Sequence, residues 1–385
     1  MTEPLVTAEI DLSAIAGNTR EFARIVGPNV KIMPAVKADG YGHGAIDVSK
    51  TALENGASAL GVARVEEGIA LRQAGISAPI LVFGYVSPKS SQDLIDYDLT
   101  ATVSNLDVVR FMSDKALAQG KKIKVHLKVD TGMGRIGLLT GKGHPGCDGH
   151  YDHTADDVLA MAKMKGIELE GIYTHFASAD SHDKTYTKQQ LNLFMDFIGQ
   201  LEKSGLHFPI RHAANSAASI ELPESRLDMI RPGISFYGLK PSDDVDMSSI
   251  ALKPAMQLKS RIVSLKTVPR GFHVSYSSTH TTDRETTIAV VPVGYADGFS
   301  RHFSSNGHML VKGMRAPIVG RVCMDLTMLD VGHIKDLALE DEVVVFGTQN
   351  GETLPVDELA ERIHTIHYEI ISNLSPRVKR VYIHG

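Results

Sequence analysis

Tryptophan is absent from this 385-residue chain and cysteine occurs only twice, at Cys147 and Cys323. Two thiols cannot build a disulfide framework, so stability has to come from a buried apolar core, and a reducing compartment suits such a chain. Nowhere do apolar residues run on for the roughly eighteen positions that a membrane helix needs. The opening MTEPLVTAEIDL has neither the basic nor the apolar stretch of a secretory signal, and a cytoplasmic location is the expectation. A strong charge excess is missing too: 40 basic against 45 acidic residues leave a net charge of -5. That argues against nucleic acid or a membrane as the main partner and for a small-molecule substrate. What is present is ordinary globular composition, 43% hydrophobic and 22% charged, which excludes disorder. The length exceeds what one core usually supports, so two domains are expected.

Short β-branched runs alternate with longer amphipathic stretches between Val30 and Arg231, the pattern of repeated βα units around a parallel sheet. The runs begin near Val30, Ala57, Ala78, Leu99, Ile123, Ile167, Phe208 and Arg226. Helices are predicted between them over 12–26, 43–55, 64–74, 105–119, 155–165 and 184–204. Eight strands, each followed by a helix, specify a (β/α)8 barrel of the TIM type. After Tyr237 the polar stretch KPSDDVDMSS marks a boundary, giving a barrel over 1–241 and a C-terminal, mainly β-strand domain over 242–385. Strand-forming segments follow at 251–268, 286–294, 309–331 and 342–347, punctuated by glycine as in an antiparallel sheet. One helix is predicted over 356–373, introduced by Pro355.

Chemistry concentrates first in AVKADGYGHG, residues 35–44, where Lys37 stands at the carboxyl end of the first barrel strand. Catalytic groups of such barrels sit at that end. A lysine emerging from an apolar strand is partly desolvated, which lowers its pKa and prepares it for Schiff-base chemistry with an aldehyde. Gly40, Gly42 and Gly44 permit tight turns, and Tyr41 adds a hydroxyl. A second motif, GMGRIG, places Gly132, Gly134 and Gly137 in the G-x-G-x-x-G spacing of dinucleotide sites. That fingerprint must open a helix, whereas TGKGHPG follows here and cannot continue as one.

AVKADGYGHG resembles the pyridoxal-phosphate attachment motif of the alanine racemase family. The resemblance continues through KVDTGMGRIG, THFASAD, HAANSAA, RPGISFYGL, VSYSSTHT, VGYADGFSR, GRVCMDLTMLDVG and YEIISNLSPRVKR, in that order along the chain. It implies a pyridoxal 5'-phosphate enzyme interconverting L- and D-alanine, as in D-alanine supply for peptidoglycan, with Lys37 and Tyr276 as bases on opposite faces of the α-carbon. Ser216 and the amides of Gly233 and Ile234 are implied for the phosphate, with the hydroxyls of Tyr41 and Tyr368. Those loops follow strands seven and eight, where barrels frequently bind phosphate. Arg231 is implied to face the pyridine nitrogen; since it can only donate, the ring stays unprotonated and proton removal followed by return is favoured over decarboxylation. His175 is the implied link from Tyr276 to Arg231. Arg135 and the amide of Met324 are implied for the substrate carboxylate, with Lys128 carbamylated to hold Arg135 and with Tyr295 and Asp325 in support. In this family Tyr276 and the CMD segment reach the partner subunit's cofactor, so a homodimer with shared sites is implied.

The chain departs from the family in loop 140–153, where His144, Cys147, His150 and His153 recur every three residues. No metal is assigned to them, since the spacing is not that of common structural sites and the reaction requires none. His364 and His367 are assigned no role and are expected at the solvent or an interface. A serine or broad-specificity racemase is the nearest alternative reading, and Tyr368, whose ring leaves room for little beyond a methyl group, speaks for alanine.

Overall fold

The computed structural model describes residues 4–140 and 154–384, and these form two compact units. One comprises Ala14–Gly40 and Ala45–Pro254; the other takes the chain up to Ser13, Tyr41–Gly44 and everything from Ala255. The histidine-rich loop, with His144, Cys147, His150 and His153, lies outside the described residues.

In the first unit all eight expected runs become strands: Lys31–Ile32, Leu60–Val62, Ile80–Val82, Thr100–Val103, Ile123–Asp130, Ile167–Tyr173, Ile210–His212 and Met229–Ile230. The second to seventh pair in parallel in chain order, and the eighth pairs with the first. Backbone hydrogen bonds close the two remaining seams. The amides of Asp228 and Arg231 donate to the carbonyls of Arg211 and Ala214, and those of Ser58 and Gly61 donate to Ile32 and Pro34. A sheet closed in this way leaves no edge exposed, and the architecture is a (β/α)8 barrel.

The helices fall where periodicity predicts them, within two or three residues at each end: Leu12–Val26, Ala45–Glu54, Val65–Gln73, Leu106–Leu117, Thr154–Ala162 and Thr185–Lys203. The last shows why. Leu191, Phe194, Phe197, Ile198 and Leu201 recur every three or four positions and are all buried, and complete burial of one such side chain contributes about 2 to 3 kcal/mol. Along Ile123–Asp130, by contrast, Lys124, His126, Lys128 and Asp130 occupy one face and apolar residues the other. The barrel interior is therefore layered. Met33, Ala59, Leu81 and Met229 form an apolar cluster, while Thr102, His126, Tyr173 and His212 are buried polar and aromatic neighbours.

The second unit is built on a sheet running Met314–Pro317, His308–Val311, Glu342–Gln349, Met256–Arg261, Thr7–Asp11, Lys379–Ile383, with Glu352–Leu354 added beside Glu342–Gln349. Ser264–Val268, Thr286–Val291 and Thr327–Asp330 form a second antiparallel sheet. Thr7–Asp11 pairs antiparallel with Met256–Arg261 and parallel with Lys379–Ile383, so the sheet is mixed, and the first strand joins this unit although a division at 241/242 assigns it to the barrel. The single helix expected over 356–373 is two, Val356–Arg362 and His367–Ser372. His364, at φ 56°, breaks the helical path between them. As a result His367 is buried with its Nδ1 2.9 Å from Asp357, rather than lying at the surface.

Candidate active site

Lys37 follows the first barrel strand just beyond the bridge between Ala35 and Gly61. Ala38, Asp39, Gly40 and Tyr41 then have φ between 51° and 62°, one turn of left-handed helix. Each such residue bearing a side chain costs roughly 1 to 2 kcal/mol, so the turn has to be held. Gly40 N donates to Val36 O at 2.9 Å, Ala45 N to Asp39 Oδ1 at 2.9 Å, and Ala38 N to Glu67 Oε1 at 2.7 Å. Glu67 also accepts from the amides of Ala63 and Arg64 through Oε2. Sequence reasoning passed over Glu67, although a carboxylate at the third helical position commonly turns back onto the preceding amides. Burial, and then the Arg135 charge, lower the pKa of Lys37, with Glu67 opposing.

Arg135 is carried by the GMGRIG loop, which is a turn and not a helix start. Asp130 Oδ1 accepts from the amides of Gly132, Met133 and Gly134 at 2.9, 2.8 and 3.2 Å, and the chain then returns as Leu138–Leu139 beside Ile123–Asp130. At Gly137, φ is 149° and a Cβ would stand 2.5 Å from Asp130 N, so only glycine fits. Lys128 is buried, its Nζ 4.6 Å from the centre of the Tyr173 ring. Burial, then Arg231 and Arg135, bring its pKa down to about 7.

Arg231 is buried at the end of the eighth strand. Its guanidinium donates to Thr174 O and Ala213 O at 2.7 and 2.9 Å, to His212 Nδ1 at 2.9 Å and to His175 Nδ1 at 3.3 Å. Burial lowers its pKa to about 10, so it remains a cation at neutral pH. The fully buried Tyr173, which sequence reasoning also passed over, lies beneath both cations, with Arg231 Cζ 5.1 Å from its ring centre. Period-two alternation along its strand was the available signal.

His212 is buried and His175 partly so, and desolvation first, then Arg231, holds both pKa values well below the ordinary one. Each stays neutral in the folded chain but takes up a proton on unfolding below about pH 6.5. Their contribution to stability is therefore complete above that pH. It falls as pH drops, by about 1.4 kcal/mol per unit for each histidine, until the folded pKa is reached. Denaturant unfolding from about pH 7 to pH 5 is expected to show this slope, and a flat profile would contradict imidazoles held neutral in the folded chain.

Ser216 opens a short helix whose first turn is capped by Asn215, Oδ1 accepting from Ala218 N at 3.1 Å. Ser216 Oγ accepts from Gly233 N at 2.8 Å and Ser235 N at 3.3 Å, which draws the loops after strands seven and eight together, with Ile234 next to Gly233.

The remaining candidates lie in the strand-rich unit. Tyr41 and Tyr368 have ring centres 6.2 Å apart, and burial raises the pKa of Tyr41 to about 12. Gly42 allows this loop against the helix of Tyr368, since a Cβ there would overlap Ile371 O. Tyr276 sits in the loop closing the ribbon of His273–Val274 and His280–Thr281, flanked by Ser275, Ser277 and Ser278, all with positive φ, and it is 72% exposed. Ser275 Oγ donates to Arg321 O at 2.8 Å, which ties this loop to the CMD segment. Met324, 53% exposed, and Tyr295 are joined through that segment, as Ala296 N donates to Met324 O and Tyr295 N to Cys323 O. Asp325 pairs with Arg377 at 2.8 Å.

In the barrel, then, Arg231, Arg135 and Lys37 are close enough to help lower the pKa of Lys128, and Arg135 that of Lys37, while Asp130 and Glu67 are already engaged by backbone amides. Such a site suits an anionic ligand. Among the described residues no helix is long and apolar enough to cross a membrane. Residues 10–241 match the family described as alanine racemase, N-terminal domain, and residues 255–382 match alanine racemase, C-terminal domain. The alanine racemase of Desulfosudis oleivorans is 50% identical over 378 residues, covering 98% of this chain and 96% of its own. That of Desulforamulus reducens is 49% identical over 383 residues and the full length of both chains. The solved alanine racemase of Clostridium difficile superposes with a TM-score of 0.93 at 38% identity, covering 100% of this chain and 97% of its own.

Proposed function

The chain belongs to the alanine racemase family, and from that premise we propose how its own residues interconvert L- and D-alanine. The observation that carries the reading is the cluster of four basic side chains, Lys37, Lys128, Arg135 and Arg231, in which both lysines have a lowered pKa. Its donors suit pyridoxal phosphate: an amine for the aldehyde, a guanidinium that can only donate for the ring nitrogen, and the Ser216 hydroxyl with the Gly233 and Ile234 amides for the phosphate. Tyr41 and Tyr368 add hydroxyls to that last set. When bound, the cofactor supplies a conjugated ring that spreads the charge left on the substrate as its α-proton departs.

Lys37 Nζ takes or returns the α-proton on one face and Tyr276 Oη on the other. Lowered basicity at Lys37 lets it do so near neutrality. His175 accepts from Arg231 at Nδ1 and keeps its Nε2 hydrogen for Tyr276, which sustains a phenolate at the second base. Arg135 grips the substrate carboxylate, assisted by the amide of Met324, while Tyr295 and Asp325 support that end. A pKa near 7 leaves much of Lys128 as free amine, the form that combines with carbon dioxide, and its carbamate would hold Arg135. A homodimer completes each site, because exposed Tyr276 and Met324 belong to the strand-rich unit and serve the partner's cofactor. The setting we propose is cytoplasmic.

Purified protein is expected to remove the optical activity of L-alanine at least about tenfold faster than that of L-serine or L-lysine, a methylene-scale discrimination worth about 1.4 kcal/mol. Equal rates would overturn the assignment to alanine.

A further inference from the structure

Inside the barrel a hydrogen-bond chain leads away from Arg231, and the proton transfers above make no use of it. Arg231 Nη1 stands 2.9 Å from His212 Nδ1, His212 Nε2 stands 2.8 Å from His126 Nδ1, and His126 Nε2 stands 3.4 Å from Glu170 Oε2. A guanidinium only donates, so His212 accepts at Nδ1 and carries its hydrogen on Nε2. His126 must then accept at Nδ1 and donate from Nε2. Every N–H in the series points the same way, and the series ends on a carboxylate, which lowers its own pKa chiefly through the bond to His126.

Two local irregularities build this path. Val125 pairs with Leu169 but His126 pairs with Gly171, which makes Glu170 the extra residue of a bulge, a device that re-aims a side chain. Next to it, Gly171 leaves room for the ring, since a Cβ there would stand 2.7 Å from His126 Nδ1. His212 is held by stacking on Tyr173, with centres 4.7 Å apart and planes 7° apart. Among the described residues, the partners of the Arg231 guanidinium itself are two carbonyl oxygens and two imidazole nitrogens, none of them anionic. A buried cation with no direct counter-ion is costly, and the chain conveys a carboxylate to it at second hand.

We propose that Glu170 is a positioning residue for Arg231: through His126 and His212 it locks both imidazole tautomers, aims the guanidinium and offsets part of its charge. The effect on turnover rests on Arg231 facing the cofactor ring, whereas the tautomers do not.

The test uses full-length protein with its cofactor, labelled with nitrogen-15 histidine. In the wild type both His126 and His212 are expected to show the hydrogen on Nε2; either one protonated at Nδ1 overturns the relay without any variant. Glu170→Gln is expected to shift the nitrogen resonances of both rings. It should also lower kcat roughly tenfold, the change equivalent to one pKa unit at Arg231, with KM for alanine changed less than about twofold. Glu168→Gln, on the same strand and exposed, is the control and should alter neither. A fall in kcat with unmoved resonances would mark a merely structural effect and overturn the proposal, as would moved resonances with wild-type kcat. Wild-type turnover in Arg231→Lys would instead overturn the reading of Arg231 itself, leaving the nitrogen assignments standing.

Discussion

Lys37→Ala is expected to lose racemisation by more than about a thousandfold, because it removes a nucleophile and an acid/base group at once and each is worth at least about a hundredfold. Visible absorbance should disappear from the purified protein with the amine. Lys37→Arg separates the two roles of the side chain: it restores the positive charge that Glu67 and the left-handed turn surround, but offers no nucleophilic nitrogen at neutral pH. It should therefore be as inactive as the alanine variant while matching the wild type more closely in thermal stability. An optical-rotation assay and an absorbance scan of both proteins decide the matter. Colour and turnover retained in Lys37→Ala would remove the basis of the mechanism.

Tyr276→Phe is expected to lower racemisation by roughly a thousandfold, within the range for loss of a general acid/base, yet it leaves Lys37 on its own face of the substrate. Exchange of the α-proton with deuterated solvent, with retention of configuration, should therefore persist for one enantiomer only. Equal loss of exchange from both enantiomers would show that Tyr276 does not act on a single face. The same substitution tests the shared site. If Lys37 and Tyr276 of one site come from different subunits, mixing Lys37→Ala with Tyr276→Phe protein and allowing exchange regenerates one intact site per mixed dimer. For random pairing this amounts to about a quarter of wild-type activity. Mixtures that stay as inactive as their components would mean that both groups come from one subunit.

Much of the barrel was legible because its signals are local. Each strand run and each helix stripe, such as Leu191 to Leu201, declares its period within a dozen residues, and Lys37 declares itself by standing where an apolar strand stops. Glu67 and Tyr173 were not, since a carboxylate folding back on its own helix and a tyrosine on an interior strand look alike whether they are structural or support a site. The break at His364 escaped for a similar reason: one residue at positive φ interrupts a hydrophobic period without altering it.

Amino-acid order alone determined the kinds of element, their sequence, and the side chains able to do the chemistry, since these depend on short-range periodicity and on intrinsic acidity. Only the tertiary structure decided that Thr7–Asp11 pairs with strands more than two hundred residues away, and that Lys37, Arg135 and Arg231 meet around Lys128. It also decided that a one-residue slip turns Glu170 toward His126. Pairing, burial and electrostatic coupling fall off within a few ångströms of space, and distance along a chain does not measure them.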